Sequence, residues 1–220
     1  MDAFMSMLRE LAGPFGSGIL VSLKIFALTL CLAIPLGLVI ALGEISRYRP
    51  IKVISKFFVM VMRGTPLLLQ ILFVYFAPYY LFGVSGAYDR FTAVIIAFTL
   101  NYSAYFAEIY RGGIQGIPRG QYEAGEVLGF SEVQIFFKIF LPQVFKRILA
   151  PISNEVITLL KDTALVQILG VADLLMAANA AATKSLSVVP FAVAAVIYFV
   201  LNFIVERLFN FTERKLSYYR

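Results

Sequence analysis

The hydrophobic residues of this chain form five long runs that are separated by polar segments. A helix needs about 20 predominantly apolar residues to cross the hydrocarbon core of a bilayer, and each run is long enough to do so. The pattern therefore predicts an all-α integral membrane protein in which residues 1–220 form a single domain. The five predicted spans are residues 19–42, 57–82, 91–110, 148–171 and 188–209.

The composition agrees with a membrane location, because 60% of the 220 residues are hydrophobic and 15% are charged. Soluble domains carry about 25% charged residues. Residues 1–14 have mixed charge and precede a long apolar run, which argues against a cleavable signal peptide. They are expected to form a short surface helix that ends at Gly13-Pro14.

Basic residues lie mainly on one side of the predicted membrane. Segments 47–56, 111–147 and 207–220 together hold 13 Lys and Arg residues, whereas the segments on the opposite side hold three. Because basic residues concentrate in cytoplasmic loops, the N-terminus is predicted to lie outside, and loop 111–147 and the C-terminus in the cytoplasm. The net charge of +6 then reflects topology, and nucleic-acid binding is not expected.

Several kinds of chemistry are excluded by residue types that the chain lacks. It has no histidine and a single cysteine, which excludes His-dependent catalysis, His-ligated metal sites and an intrachain disulfide. It also has no G-x-x-x-x-G-K-[ST] motif, because Gly112-Gly113-Ile114-Gln115-Gly116 is not followed by the required lysine. The chain is therefore not expected to be an enzyme or to hold a metal or cofactor.

Loop 111–147 is the longest segment between two predicted spans, and its residues are typical of an ordered structure. Pro118 suits the first turn of a helix, and Gly129 can end that helix in the left-handed conformation. Ser131 and Gln134 have the spacing of a capping box for a second helix, which Pro142 is expected to interrupt. A helix–glycine–helix unit of this kind suggests a docking surface, and the alternative is an ordinary ordered loop.

Four motifs of the chain resemble a known family. Glu123-Ala124-Gly125, followed after three residues by Gly129 and after nine more by Ile139-Phe140-Leu141-Pro142, is similar to the EAA loop of bacterial ABC importer permeases. Further motifs resemble the polar amino acid permease family, which includes histidine, glutamine and arginine importers. They lie at residues 63–68, 107–121 and 159–163.

This resemblance implies a transmembrane subunit of an ATP-driven amino acid importer in the bacterial cytoplasmic membrane. It implies a second permease subunit, as a homodimer or a homologous heterodimer, two copies of a separate ATPase that binds ATP and Mg²⁺, and an extracytoplasmic solute-binding protein. A short helix in the loop would dock into the ATPase. The coupling residues that it implies are Gln121, Glu123, Ala124, Gly125, Gly129 and Pro142.

Gly125 departs from the resemblance, because the family usually has alanine at this position. Glycine costs about 1 kcal/mol in a helix interior. The docking helix is therefore expected to be slightly looser than its relatives while keeping its role.

Charged residues inside membrane spans cost about 2.5–3.5 kcal/mol each on insertion scales, so they are candidates for function. The second predicted span is interrupted at residues 63–66, where Pro66 removes a backbone donor. Thr65 is expected to cap a new half-helix with Pro66 at its first position. That half-helix and Arg63 would bind a substrate carboxylate. The alternative is a simple proline kink in which Arg63 pairs with an acidic neighbour.

Polar residues also share one face on each of the next two spans. Together they are predicted to line a substrate cavity near the middle of the membrane, and the set comprises Asn101, Tyr105 and Glu108 on one span and Glu155, Thr158 and Asp162 on the other. Their carboxylates exceed the charge of Arg63 and Lys161, which favours arginine, lysine or histidine as the substrate. The alternatives are glutamine or another polar amino acid, with specificity set by the external binding protein.

Some of the same residues also suit structural roles. Glu108 is near the predicted cytoplasmic end and would suit an ion pair with Arg111 or Arg63, and Lys161-Asp162 would suit an architectural role. Two other classes of protein fit less well. An ion-coupled carrier leaves the docking loop without a purpose, and the spans show no evident inverted repeat. An intramembrane protease would need a histidine or a pair of mid-membrane aspartates.

Overall fold

The fold is described here from a computed structural model, which covers residues 2–215 and the side chains of residues 11–215. Every regular element within residues 2–215 is helical, which confirms the all-α prediction. A π-helical turn, Phe136–Phe140, joins α6 to α7, and a 3-10 helix, Thr163–Leu169, follows α7. The α-helices are α1 (Asp2–Ile45), α2 (Arg49–Gly64), α3 (Leu67–Phe82), α4 (Arg90–Gln115), α5 (Arg119–Val127), α6 (Glu132–Ile135), α7 (Leu141–Asp162), α8 (Leu174–Ser185) and α9 (Val189–Lys215).

Helix length and hydropathy give three to five candidate membrane spans among the described residues. Helices α1, α4 and α9 are each long and apolar enough to cross a bilayer. The α2–α3 pair is bent by 110°, and the α6–α7 helix is bent by 58° relative to α8. Five spans result when each bent pair counts as one. The second predicted span is broken near Pro66, whereas the fourth is helical as far as Leu169 and the bend lies at its end.

The predicted end of the first helix at Gly13-Pro14 is wrong, because α1 continues through both residues to Ile45. Met1, the first residue of the predicted surface helix, lies outside the described residues. A proline inside a helix removes one hydrogen bond and crowds the preceding turn. Here Leu11 and Phe15 are buried against α8, and this apolar packing offsets the cost of Pro14.

Helix α4 is the centre of the fold and packs against α1, α2, α3 and α7. Phe98, Tyr102 and Phe106 of α4 are fully buried in the main hydrophobic core. Gly37 of α1 allows α4 to approach closely, since a Cβ atom there would lie 2.8 Å from the Cβ of Phe106. This central position removes the polar residues of α4 from lipid and allows them to face other helices.

The interruption near Pro66 is confirmed, but the predicted role of Thr65 as the helix cap is wrong. Helix α2 ends at Gly64, Thr65 is extended, and Pro66 is the N-cap residue of α3. The residue before a proline is driven towards an extended conformation, which ends α2 at this point. The Thr65 hydroxyl donates to the Val61 carbonyl at 2.9 Å and makes no cap to the first turn of α3.

The helix–glycine–helix prediction for the loop is confirmed. Helix α5 is followed by Gly129 with φ of 79°, and the Ser131–Gln134 capping box starts α6. Pro118 precedes α5 as its N-cap residue and does not lie in its first turn. The predicted interruption at Pro142 is wrong, because helical backbone continues from residue 132 to residue 169. Pro142 lies two residues after the π-helical turn Phe136–Phe140, in which the regular α-helical hydrogen-bond ladder is already interrupted.

Candidate functional site

A cavity of about 620 Å³ opens between the helix break at residues 64–66, the middle of α4 and the second half of α7. Seven of the eight residues predicted to contact substrate line this cavity, and Glu108 is the exception. The seven are Arg63, Thr65, Asn101, Tyr105, Glu155, Thr158 and Asp162. The remaining wall is formed by Gly64, Pro66, Leu67, Leu68, Tyr102 and Leu165.

The beginning of α3 forms one end of the cavity. The backbone N–H groups of Leu69 and Gln70 donate to the Pro66 carbonyl at 3.0 and 3.2 Å. Those of Leu67 and Leu68 find no acceptor within the described part of the chain, and both residues line the cavity. Free N–H groups at a helix start carry partial positive charge, so this end suits an anionic group.

A network of side-chain amides holds the helix break together, and its main member, Gln70, was not predicted from the sequence. The Gln70 Nε2 group donates to the Met62 carbonyl at 2.9 Å and to the Thr65 hydroxyl at 2.7 Å. The Asn101 amide donates to Gln70 Oε1 at 3.0 Å and to the Met62 carbonyl at 3.2 Å. Asn101 therefore has a structural partner in Gln70. The sequence did contain a signal for Gln70, because it is an amide in an apolar helix four residues after a proline.

Two carboxylates form the opposite wall of the cavity. Asp162 accepts a hydrogen bond of 2.7 Å from the hydroxyl of Tyr102, a buried residue that the sequence analysis did not single out. Glu155 is half-buried, and no hydrogen bond or ion pair holds it within residues 11–215. The Thr158 hydroxyl donates to the Asn154 carbonyl at 2.9 Å, which leaves its oxygen able to accept. This wall is acidic and includes an unpaired carboxylate.

Arg63 provides the basic group of the cavity and forms an ion pair with Glu108, which lies outside the cavity lining. The Arg63 guanidinium lies 3.5 Å from Glu108 and 5.5 Å from the centre of the Tyr105 ring. Glu108 also pairs with Arg111, which in turn lies 4.0 Å from the buried Glu44. Glu108 does not line the cavity, and the ion pairs with Arg63 and Arg111 that were expected as its alternative role are both present. With Arg63 shared in this way, the carboxylates dominate the charge of the cavity.

A second cavity of about 490 Å³ lies beside α5, and Gln121 and Glu123 line it together with Arg47. Gln121 also accepts a hydrogen bond of 3.0 Å from Gln143 of α7. Val127 at the end of α5 is 89% exposed, and Leu128 beside it is exposed as well. The helix is thus attached to the fold on one side and presents apolar side chains on the other.

The remaining predicted coupling residues occupy different positions around α5. Ala124 is exposed, and its carbonyl accepts the Leu128 N–H at 3.1 Å near the end of the helix. Gly125 is buried against Ile135, where a Cβ atom would lie 2.7 Å from Cγ1. Gly129 closes the helix, whereas Pro142 lies in the first turn of α7. Gly125 and Gly129 therefore shape α5, and the end of the helix leaves the apolar side chains of Val127 and Leu128 exposed.

Comparison with known proteins identifies the class of this molecule. The model of the family described as binding-protein-dependent transport system inner membrane component matches residues 33–218, and the chain belongs to this family. It is a permease subunit of an amino acid ABC transporter, as the motifs had indicated.

Individual relatives are similar along almost the whole chain. The arginine transport system permease protein ArtQ of Bacillus subtilis (strain 168) is 38% identical, with 91% of each chain covered. The putative glutamine transport system permease protein GlnP of Rickettsia bellii is 33% identical, with 90% of this chain and 91% of that protein covered. A crystal structure of an amino acid ABC transporter with histidines is 36% identical, has a TM-score of 0.87 and covers 96% of this chain and 98% of that one.

Proposed function

We propose that the chain forms the pathway for a basic amino acid, namely arginine, lysine or histidine, in an ATP-driven importer of the bacterial cytoplasmic membrane. One observation carries this proposal: the cavity holds the carboxylates of Glu155 and Asp162 against a single guanidinium, Arg63, which is shared with Glu108. A cationic substrate would balance the excess negative charge, and an anionic substrate would increase it. The name of the arginine relative ArtQ supports the same substrate class.

The proposed binding mode places the two ends of the amino acid at opposite walls. The substrate carboxylate lies at the beginning of α3, where Leu67 and Leu68 have free N–H groups and Arg63 adds positive charge. The α-ammonium group or the cationic side chain lies against Glu155 and Asp162. A volume of about 620 Å³ is within the usual range for small-molecule sites, about 300–1,000 Å³.

Glutamine is the second candidate, and the name of the Rickettsia bellii relative is the observation that favours it. A zwitterionic amino acid could use the same carboxylate and ammonium contacts without a cationic side chain. Specificity would then be set by the external binding protein, and the cavity would accept several polar amino acids.

The energy for transport is proposed to come from a separate ATPase that binds ATP and Mg²⁺ and contacts α5. Two ATPase copies, a second permease subunit and an extracytoplasmic binding protein complete the proposed assembly, in which this chain pairs with itself or with a homologous permease. In the proposed assembly the N-terminus lies outside the cell, and α5 lies on the cytoplasmic side of the membrane. Helix α6, which packs on α5, continues into α7, and α7 carries Glu155 and Asp162. A movement of α5 would therefore reach the acidic wall of the cavity.

The test is a thermal-stability screen of the assembled transporter against the twenty amino acids, with wild-type protein and with Glu155→Gln. A ligand at one hundred times its dissociation constant stabilises the protein by about 2.7 kcal/mol. We expect basic amino acids alone to raise the melting temperature, and we expect Glu155→Gln to lose this response. The matched control is Glu206→Gln, the same change at an exposed position of α9 outside the cavity.

Three outcomes would count against the proposal in different ways. If no amino acid raises the melting temperature, the cavity is a passage and specificity belongs to the binding protein. If glutamine stabilises as well as arginine and Glu155→Gln keeps both responses, the second candidate is favoured. If Glu206→Gln loses the response too, the loss does not come from the cavity carboxylate.

A further inference from the structure

Pro66 creates a hydrogen-bonding problem at the helix break that the chain has to solve. In a continuous helix the carbonyl of residue 62 would accept from the N–H of residue 66, but a proline has no N–H. The Met62 carbonyl therefore lacks its usual donor. The extended backbone at Thr65 leaves that residue's carbonyl outside both helices as well. Carbonyl groups left unpaired inside a membrane protein are strongly unfavourable, because no water in the bilayer core can replace the missing donor.

Gln70 solves this problem from the first turns of α3. Its Nε2 group has two N–H hydrogens and three acceptors in range, so one hydrogen is shared. The acceptors are the Thr65 hydroxyl at 2.7 Å, the Met62 carbonyl at 2.9 Å and the Thr65 carbonyl at 3.2 Å. Its Oε1 atom accepts from Asn101 of α4 at 3.0 Å. One side chain thus connects the end of α2, the break, the beginning of α3 and the central helix α4.

The Gln70 bonds lie between the cavity, which Thr65 lines, and a second, apolar surface. Gln70 and Thr65 also border an apolar groove of about 390 Å³, lined mainly by hydrophobic side chains such as Leu69 and Phe73. Without the Gln70 amide, the Met62 carbonyl would keep only the bond from Asn101, and the Thr65 carbonyl would have no protein donor within the described residues. The backbone at residues 62–66 would be expected to rearrange, and the first residues of α3 would move with it.

We propose that Gln70 is a positioning residue for the substrate carboxylate, because its hydrogen bonds fix the first residues of α3, where Leu67 and Leu68 line the cavity and have free N–H groups. This inference rests on the proposed function, in which the carboxylate lies at the beginning of α3. Gln70 itself is not part of the cavity wall, so it acts through the backbone of α3 and does not contact the substrate.

The experiment compares arginine with argininamide, which keeps the guanidinium and the α-ammonium group but replaces the carboxylate with a neutral amide. Equilibrium binding of both compounds is measured on the assembled transporter in nanodiscs, for wild type, Gln70→Leu and Gln70→Asn. The shorter asparagine cannot span the break, and it provides a milder variant if Gln70→Leu does not assemble. The matched control is Gln143→Leu, which breaks one side-chain hydrogen bond, to Gln121, outside the cavity.

We expect wild type to prefer arginine over argininamide, and we expect the Gln70 variants to lose about tenfold of that preference, the size of a strong helix-terminus interaction. The loss should fall on arginine, while argininamide affinity and the Gln143→Leu control stay near their wild-type values. Preference of the wild-type size in the Gln70 variants overturns the inference. Equal loss of both compounds also overturns it, because a merely structural residue would weaken both.

A failure of the proposed function would be distinguishable from a failure of this inference. If wild type itself does not discriminate between arginine and argininamide, no carboxylate subsite exists at α3, and the inference falls with it. The response of Glu155→Gln to basic amino acids tests the acidic wall separately. A wild type that discriminates, combined with Gln70 variants that also discriminate, refutes the role of Gln70 alone.

Discussion

Replacing Gly125 with alanine sets helix propensity against packing at the centre of α5. Gly125 is buried, and an added Cβ atom would lie 2.7 Å from Cγ1 of Ile135 and 3.2 Å from Cδ1 of Ile139. Cγ1 is bonded directly to the Cβ of Ile135, so it cannot move away unless the whole side chain rotates. Ile135 is 1% exposed, and isoleucine has one strongly preferred rotamer in a helix. We therefore expect the substitution to loosen α5.

The expected magnitude follows from two opposing contributions. Alanine is favoured over glycine in a helix interior by about 1 kcal/mol. Inserting a methyl group into a well-packed core costs about 1–3 kcal/mol. The difference is a net destabilisation of up to about 2 kcal/mol, with about 1 kcal/mol as the central value. Helix propensity alone predicts that Gly125→Ala stabilises α5, and this is also what the sequence led us to expect.

Hydrogen exchange of the α5 amides measures this free energy of local opening directly. A change of about 1 kcal/mol corresponds to about a fivefold change in protection, so Gly125→Ala should lower protection about fivefold. The same substitution in an Ile135→Ala background should be neutral or stabilising, because the added methyl group then enters the space left by the isoleucine. A fivefold increase in protection in both backgrounds would refute the packing argument.

Two further predictions concern the ends of the helices. Val127→Asp should lower substrate-stimulated ATP hydrolysis by the assembled complex about thirtyfold, which corresponds to losing an interface hot spot of about 2 kcal/mol, without altering arginine binding. Leu186→Asp is the control because Leu186 is 93% exposed after α8, and equal loss there would contradict a specific role for α5. Asp89 accepts a hydrogen bond of 2.6 Å from the Thr92 N–H at the beginning of α4, which holds the pKa of the Asp89 carboxyl below its ordinary value. Because the folded pKa is the lower one, this stabilisation is complete above about pH 4 and is lost as the pH falls further. Hydrogen exchange in the first turn of α4 should show that loss, and Asp89→Asn should abolish the pH dependence.

The parts of the fold that follow from short-range rules could be predicted from the sequence. Hydropathy located the membrane helices, since only a long apolar run can cross a bilayer. Pro66 predicted the helix break, and Gly129 with the Ser131–Gln134 pair predicted the turn between α5 and α6. Errors came where packing opposed a local rule. Gly13-Pro14 did not end α1, because the residues on either side are buried against α8.

The candidate site was predictable as a set of residues but not as a set of contacts. Helical periodicity placed Glu155, Thr158 and Asp162 on one face, and all three line the cavity. Helical spacing favours the Glu108–Arg111 pair, which is three residues apart on α4, but the Glu108–Arg63 pair depends on how α2 packs against α4. Tyr102 was missed for a similar reason. It follows the predicted residue Asn101 in the chain, but it contacts Asp162 only because α4 packs against α7.

The sequence by itself determined that this protein is a membrane permease of the ABC type. The length of the apolar runs, the EAA-like loop and the absence of a nucleotide-binding motif can each be read from contiguous residues. Only the tertiary structure decided which hydrogen bonds hold the cavity walls and which ion pairs set the charge of the cavity. The Asn101–Gln70 bond joins residues 31 positions apart, and the Tyr102–Asp162 bond joins residues 60 positions apart. Such bonds depend on the register and distance of two packed helices, and no local pattern along the chain encodes these quantities.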